Sequence, residues 1–204
     1  MKKKEVMKIG CFASGRGSNF EALLKRIESG DLEAEVAFLL TNNSKCGAVD
    51  LAKSRGIPVH HVSSVTDPDE NARTARMVSI VRESGARLLV LCGYMKRVPD
   101  EVLEAAEFGA INIHPSLLPR GGGLWGHHVH EAILALGDDR SGATVHRVNS
   151  VYDDGEILMQ RQVPVLPGDT ADTLAARVLI QEHDLLWRVV KQFAEGKLGA
   201  PTAK

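Results

Sequence analysis

The stretch VMKIGCFASGRGSNFEALLKRIE, residues 6–28, places a strand, a glycine-rich loop and a helix in immediate succession. Residues 6–13 are mostly apolar over a length that is typical of a buried strand. From Ser18 to Glu28, apolar residues recur with the spacing of one helix face. Because a strand that passes through a short loop into a helix opens a β–α–β unit, this stretch favours an α/β fold.

The same alternation continues along the rest of the chain. Strand-like runs such as RLLVLC at residues 87–92 are almost wholly apolar, as expected for strands covered on both faces. The predicted strands are residues 6–13, 35–41, 58–62, 87–92, 110–113, 143–148 and 157–165, and the predicted helices are residues 18–28, 47–54, 69–83, 99–107, 127–136 and 170–194.

This order of elements predicts a Rossmann-like, doubly wound and mainly parallel sheet with helices on both faces. The last two predicted strands are joined by a turn at Asp153-Asp154-Gly155. We expect them to pair as a C-terminal antiparallel hairpin, followed by a long helix. In such a sheet, ligands bind beyond the carboxyl ends of the strands.

Composition argues against several classes of function. A formal net charge of −1 gives no general attraction for nucleic acid or for an anionic membrane, so any anion site must be local. Cys11, Cys46 and Cys92 lack metal-type spacing, and we expect them to be reduced. No run has the length of a signal-peptide core or of a membrane span. We therefore expect a cytoplasmic protein with no nucleic-acid or membrane partner.

The loop ASGRGSN at residues 13–19 suits a phosphate group. Glycines let the backbone approach an anion, and the start of the following helix presents N–H groups and the positive end of its dipole. A purely structural interpretation, in which Ser18 or Asn19 caps the helix, is also open. The glycine spacing departs from the dinucleotide fingerprint, and Thr41-Asn42-Asn43 stands where an acidic residue is expected. A mononucleotide phosphate therefore suits the loop better.

The run INIHPSLLP at residues 111–119 holds the most informative polar pair. Strand alternation places Asn112 and His114 on one face, at the carboxyl end of a strand. An amide donor beside a histidine suits acyl transfer, in which a carbonyl oxygen gains negative charge. The alternative is a hydrogen-bonded histidine at a strand end with a capping asparagine. A carboxylate that orients the histidine is expected at Asp153 or Asp154, and spacing does not select between them.

Together these stretches resemble the folate-dependent formyltransferases, and most closely the branch that acts on glycinamide ribonucleotide. The resemblance runs from about residue 6 to residue 196. Its landmarks appear in order as ASGRGSN at 13–19, LCGYMKRV at 91–98, INIHPSLLP at 111–119, GATVHRVNSVYDDG at 142–155 and QEHDLLW at 181–187.

The resemblance implies a metal-free enzyme of purine biosynthesis, which transfers the formyl group of 10-formyltetrahydrofolate to the amine of 5′-phosphoribosylglycinamide. It implies that Asn112 and His114 stabilise the oxyanion, while Asp153 orients His114 and assists proton transfer. The other implied site residues are Gly17, Ser18 and Asn19 for the substrate phosphate, Glu182 for the ribose hydroxyls, and Met95, Lys96, Arg97, Val98, Val151 and Tyr152 for the folate.

We expect a single formyltransferase domain over residues 1–204, with a phosphate-binding half at about 1–100 and a folate-binding and catalytic half at about 101–204. Either a monomer or a homodimer is compatible with the sequence. The loop at residues 121–128 departs from the family by its greater length, so no function is assigned to it. A metal site built from His127, His128 and His130 is not expected, because a single histidine cluster without a cysteine ligand is a weak signal for a metal.

Three other functions compete with this interpretation. Formyltetrahydrofolate deformylases share the Asn-His-Asp core but usually carry an additional N-terminal domain. Methionyl-tRNA formyltransferases add an RNA-binding domain, whereas this chain has no basic footprint for tRNA. A nucleotide-binding module without catalysis is the third alternative, and the presence of Asn112, His114 and Asp153 argues against it.

Overall fold

The structure is a computed structural model that describes residues 6–201. The basic chain start at residues 1–5, on which part of the cytoplasmic prediction rests, lies outside the described residues. The elements are β1 (Met7–Phe12), α1 (Ser18–Glu28), β2 (Ala34–Thr41), α2 (Gly47–Lys53), β3 (Val59–His61), α3 (Glu70–Ser84), β4 (Leu88–Leu91), α4 (Asp100–Glu104), β5 (Ala110–His114), α5 (His127–Ala135), β6 (Arg140–Arg147), β7 (Ile157–Pro164) and α6 (Ala171–Ala194).

The seven strands form a sheet in the order β3-β2-β1-β4-β5-β6-β7. Strand β1 pairs in parallel with β2 and with β4, and β2 pairs in parallel with β3. Strands β6 and β7 pair antiparallel. The predicted class, a mainly parallel α/β sheet that ends in an antiparallel pair and a long helix, is therefore confirmed.

The described residues divide into two compact units, residues 6–111 with 190–201, and residues 112–189. In the first unit, Phe12, Phe20 and Phe38 are fully buried around β1 and β2. Helix α1 contacts α2, and α3 contacts α4. The α1–α2 and α3–α4 contacts agree with right-handed crossover connections. When the chain reverses its direction across the sheet, such connections place the helices before and after the reversal on opposite faces.

In the second unit, buried Thr144 on β6 fixes the chain that leaves β5. Its hydroxyl donates to the Ser116 carbonyl at 2.6 Å and accepts the Leu118 N–H at 3.1 Å. The amide of Gln160 on β7 donates to the Thr144 hydroxyl at 2.9 Å and to the Leu118 carbonyl at 3.0 Å. Because Thr144 and Gln160 belong to paired strands, the segment after His114 has one well-defined path.

The helix predicted over residues 99–107 is shorter in the structure. Helix α4 ends at Glu104, with Pro99 at its N-cap. The chain then turns back to β4, where the Phe108 N–H donates to the Arg87 carbonyl at 2.8 Å. The Arg87 and Glu107 side chains form an ion pair at 2.5 Å. These contacts hold residues 107–108 in a turn before β5, which a local helical pattern does not reveal.

The sequence also predicts reduced cysteines and no membrane-spanning segment. All three cysteines are free and buried. Within residues 6–201, no helix has the length and apolar character that crossing a membrane requires.

Candidate active site

Strand β5 carries two polar side chains to the carboxyl edge of the sheet. Asn112 is partly buried, and His114 is only 4% exposed. Ile113 between them is buried on the other face of the strand. Nε2–H of His114 donates to the Gly121 carbonyl at 3.1 Å, and Nδ1 lies 3.4 Å from Oδ1 of Asp153. Both ring nitrogens of this histidine therefore face oxygen acceptors.

Asp153 lies in the turn between β6 and β7, with a left-handed φ of 55°. Asparagine and aspartate are enriched among the residues that adopt this conformation. Its side chain is only 10% exposed, and the neighbouring Asp154 is exposed. Oδ2 accepts the Gly123 N–H at 2.9 Å. The structure thus places Asp153, and not Asp154, beside His114.

A second histidine, which the sequence analysis missed, completes the cluster. His146 on β6 is 2% exposed, and its Nε2 lies 3.4 Å from Oδ1 of Asp153. The same nitrogen lies 3.1 Å from Nδ2 of Asn112. His146 therefore connects Asn112 to Asp153, and one carboxylate oxygen faces two imidazoles. The alternation of Thr144 and His146 with apolar Ala143 and Val145 is the sequence signal that could have revealed a polar face on β6.

The electrostatics of the cluster favour an ionised carboxylate. Burial alone would raise the pKa of Asp153. The contacts with His114 and with the Gly123 N–H outweigh burial and hold this pKa far below its ordinary range. Asp153 is thus a fixed negative charge between the two histidines.

The glycine-rich loop at residues 121–126 touches the cluster through its backbone. The Gly121 carbonyl contacts His114, and the Gly123 N–H contacts Asp153. Gly121 has a φ of 74°, and a Cβ there would stand 3.1 Å from the Ser116 hydroxyl. Gly121 therefore meets both a conformational and a spatial requirement for glycine. Leu124 and Trp125, farther along the loop, are exposed.

In the first unit, the loop after β1 has the features of an anion site. Gly17 is the N-cap of α1 with a φ of 83°, and no side chain among the described residues caps the helix there. A Cβ on Gly17 would lie 2.9 Å from Cβ of Ala48. Glycine therefore allows this close packing and leaves the helix start to an external acceptor. Ser18 is partly exposed and Asn19 is buried.

Ser14 ties the ends of β1 and β4 together. Its N–H donates to the Gly93 carbonyl at 3.1 Å, and its hydroxyl accepts the Met95 N–H at 2.8 Å. The same hydroxyl donates to Oδ1 of Asn42 at 2.5 Å. The order of strands reverses at β1 and β4, and ligands of doubly wound sheets bind at such a point.

The segment predicted to bind folate in this unit presents mixed surfaces. Met95 is 49% exposed and Val98 is 2% exposed. Lys96 and Arg97 are exposed and line a cavity of about 1420 Å³. Tyr94 lines the same cavity, and burial raises the pKa of its hydroxyl to about 12. The segment thus offers two cations beside the half-exposed apolar side chain of Met95.

The remaining predicted residues belong to the second unit. Val151 and Tyr152, in the turn before Asp153, are 56% and 67% exposed. Glu182 lies on α6 and is 8% exposed, which is unusual for a carboxylate.

The region of His127, His128 and His130 holds pairwise contacts. His127 contacts Asp172 at 2.6 Å, and His128 contacts Glu131 at 3.0 Å. Residues 6–201 contain no group of three or more His, Cys, Asp or Glu placed to hold a metal ion.

Comparison with known proteins gives one consistent family. The family model described as formyl transferase matches residues 7–190. A crystal structure of glycinamide ribonucleotide transformylase 1 from Symbiobacterium toebii superposes with a TM-score of 0.89 at 32% identity, covering 97% of this chain and 92% of the other.

Two named relatives point in the same direction. Phosphoribosylglycinamide formyltransferase, chloroplastic, from Vigna unguiculata is 42% identical over 94% of this chain and 62% of its own length. Phosphoribosylglycinamide formyltransferase from Escherichia coli (strain K12) is 30% identical over 94% of this chain and 89% of its own length. The chain thus spans less than two thirds of the first of these relatives.

Proposed function

Because the chain belongs to the formyl transferase family, we propose that it transfers the formyl group of 10-formyltetrahydrofolate to the amine of 5′-phosphoribosylglycinamide. The products are the formylated ribonucleotide and tetrahydrofolate, formed in the de novo synthesis of the purine nucleotide IMP. The names of the relatives from Vigna unguiculata and Escherichia coli support this choice of acceptor.

The observation that carries the proposal is the buried cluster around Asp153. Oδ1 of an ionised carboxylate stands 3.4 Å from Nδ1 of His114, and Asn112 lies two residues before that histidine on the same strand. The family resemblance implies the same three residue types in this order. The cluster thus supports Asn112, His114 and Asp153 as the catalytic residues.

Asn112 and His114 stabilise the charge that develops during transfer. When the amine adds to the formyl carbon, the formyl oxygen becomes negative. N–H donors that are already oriented lower the energy of this state without reorganisation. The Asn112 amide supplies one donor and a ring N–H of His114 supplies the other. The Gly121 carbonyl, which accepts from Nε2 of His114, has to yield that donor if the substrate uses it.

Asp153 holds His114 and assists the movement of protons. The carboxylate keeps its charge because its pKa is held far below the ordinary range. It can therefore accept from Nδ1 of His114 and orient the ring at neutral pH. The attacking amine loses a proton and the departing folate nitrogen gains one. We assign this transfer to the His114–Asp153 pair, acting directly or through a water molecule.

Protein groups hold the ribonucleotide by its phosphate and its ribose, away from its reacting amine. We assign its phosphate to Gly17, Ser18 and Asn19, because the start of α1 has no side-chain cap and suits an anion. We assign its ribose hydroxyls to Glu182 on α6, as the family resemblance implies. Binding energy from these groups fixes the amine in a reactive position.

The formyl donor, 10-formyltetrahydrofolate, is held by residues of both units. As the family resemblance implies, we assign its binding to Met95, Lys96, Arg97 and Val98 in the first unit and to Val151 and Tyr152 in the second. The apolar members suit a flat aromatic ring system. The exposed cations Lys96 and Arg97 suit the carboxylates of the folate glutamate tail.

The acceptor decides between this function and its rivals. The purified protein is mixed with 10-formyltetrahydrofolate and, in parallel, with phosphoribosylglycinamide, with methionyl-tRNA or with buffer alone. Tetrahydrofolate and each formyl product are then quantified by mass spectrometry. Transfer only to the ribonucleotide supports the proposal. Release of formate in buffer alone identifies a deformylase, and formation of formyl-methionyl-tRNA identifies a methionyl-tRNA formyltransferase. If the donor stays unchanged in every mixture, the protein is a binding module without catalysis.

Several further properties remain proposals of the same kind. A single family match over residues 7–190 supports one formyltransferase domain over the chain. The cytoplasmic location, the choice between monomer and homodimer and the absence of nucleic-acid, membrane and metal partners stay predictions. The relative from Vigna unguiculata is named chloroplastic.

A further inference from the structure

We propose that His146 is a positioning residue, which sets the orientation of the Asn112 amide through a fixed neutral tautomer. The inference rests on the proposed function for its catalytic meaning. Neither the family resemblance nor the comparisons assign a role to this side chain. The hydrogen bonds of both imidazole nitrogens carry the argument.

The first nitrogen of His146 must carry a proton. Nδ1 lies 2.7 Å from the Arg147 carbonyl oxygen. A carbonyl oxygen only accepts, so Nδ1–H is the donor in this short contact. The bond is local, because it joins adjacent residues. In a neutral imidazole, a proton on Nδ1 leaves a lone pair on Nε2.

The second nitrogen then selects the orientation of Asn112. Nε2 lies 3.1 Å from the Asn112 side-chain amide, and its lone pair accepts an N–H from Nδ2. The reversed amide would place an oxygen lone pair against the lone pair of Nε2. His146 thus uses one of the two amide hydrogens and leaves the second for a developing oxyanion.

The backbone of β6 and β7 holds the ring in place. The register shifts between Val145, which pairs with Met159, and His146, which pairs with Ile157. Leu158 is therefore an extra residue on β7, and a bulge of this kind turns neighbouring side chains. Beyond the bulge, the Arg147 N–H donates to the Glu156 carbonyl at 2.9 Å. The residue whose carbonyl sets the tautomer is therefore itself fixed.

Asp153 lies against the same nitrogen and is an alternative hydrogen-bond partner for it. Its Oδ1 is 3.4 Å from Nε2 of His146, a longer separation than that to Asn112. A charged His146 would donate Nε2–H to Asp153 or to a reversed Asn112 oxygen. The shorter contact with the Asn112 amide favours the neutral ring of His146. Asp153 then accepts a hydrogen bond from His114.

The tautomer is measured on the wild-type protein. The 15N chemical shifts of a histidine ring distinguish protonated from unprotonated nitrogens, and the spectrum of His146→Gln assigns the resonances. At neutral pH we expect a protonated Nδ1 and an unprotonated Nε2 in His146. A protonated Nε2 would overturn the proposal. This measurement needs no activity, so it stands even if the proposed reaction is not observed.

Kinetics then test the path through Asn112. His146→Leu removes the acceptor, and we expect kcat for formyl transfer to fall roughly 10-fold or more, with little change in either KM. His146→Gln offers a carbonyl acceptor near the position of Nε2 and should retain most of kcat. Ser141→Ala, a buried change on the same strand, is the matched control and should leave kcat unchanged.

A double-mutant cycle separates positioning from a general structural effect. In an Asn112→Ala background, His146→Leu should cost less than about 3-fold in kcat, because the amide that it positions is gone. An equal loss with and without Asn112 would show that His146 acts by another route. If wild-type protein transfers no formyl group, the proposed function fails and the tautomer measurement alone decides the positioning.

Discussion

Gly123 donates its backbone N–H to Oδ2 of Asp153 across 2.9 Å. The bond joins a glycine-rich loop to the turn that presents the carboxylate. Asp153 has a φ of 55°, and Gly123 has a φ of 78°. Both partners therefore hold backbone conformations that most residues avoid. The position of the carboxylate beside His114 depends on this loop as well as on its own strand pair.

Gly123→Ala should impair the reaction more than it impairs the fold. A Cβ there would meet no atom within 4 Å, so the cost is backbone strain of about 1 kcal/mol. Relief of that strain moves the N–H away from Asp153, and we expect kcat to fall about 5-fold. Gly137 has a φ of 68° and equally open space. Gly137→Ala should lower Tm to a similar extent and leave kcat intact, and equal losses of kcat would contradict the link.

Asp153→Asn isolates the charge from the shape of the turn. Asparagine accepts a left-handed φ, so the backbone should be retained while the negative charge between the two histidines is lost. We expect kcat to fall by ~10² or more. Asp154→Asn is the matched control, because Asp154 is exposed in the same turn, and it should retain wild-type turnover. Loss of activity in the control, with Asp153→Asn unaffected, would reverse the assignment.

The order of elements could be predicted from the sequence because it is encoded locally. Apolar runs, helix periodicity and glycine positions predicted the β1–loop–α1 segment, and the predicted helix over residues 18–28 matches α1 at both ends. The shorter α4 could not be predicted, because residues 107–108 are held by contacts with Arg87, just before β4. Interactions between elements override a continuous helical pattern there.

The candidate site was predictable where one strand carries it. Asn112 and His114 share a face of β5, and alternation alone reveals that. The choice of Asp153 over Asp154 depends on a turn conformation that spacing does not encode. His146 escaped notice because its polar contacts are with β5 and with the turn, whereas its sequence neighbours suggest an ordinary buried strand.

Ser18→Ala tests the phosphate assignment. A hydrogen bond to a charged group contributes about 1.5–3 kcal/mol. We therefore expect KM for phosphoribosylglycinamide to rise roughly 10-fold or more, with KM for the folate donor little changed. Ser29, at the opposite end of α1, bonds the Arg26 carbonyl and Asp31, and Ser29→Ala should change neither KM. A rise in the folate KM instead would place the phosphate elsewhere.

His130 predicts how stability depends on pH. Its side chain is 4% exposed, and Nδ1 has no hydrogen-bond partner among the described residues. Burial, and then the neighbouring His127 and His114, lower the pKa of His130 to about 4 from the ordinary value of 6.5. Between pH 6.5 and pH 4, the unfolded chain therefore binds a proton at this position that the folded chain does not.

Stability should consequently fall as the pH decreases through that window, by up to about 3 kcal/mol from this group. His130→Phe keeps a buried ring that does not titrate, so its free energy of unfolding should decline less between pH 6.5 and pH 4. Urea unfolding at several pH values measures the difference between the two proteins. His128→Gln is the control, because His128 is exposed, and its pH dependence should follow that of the wild type. Parallel curves for wild type and His130→Phe would mean that His130 carries the same charge in the folded and unfolded chains.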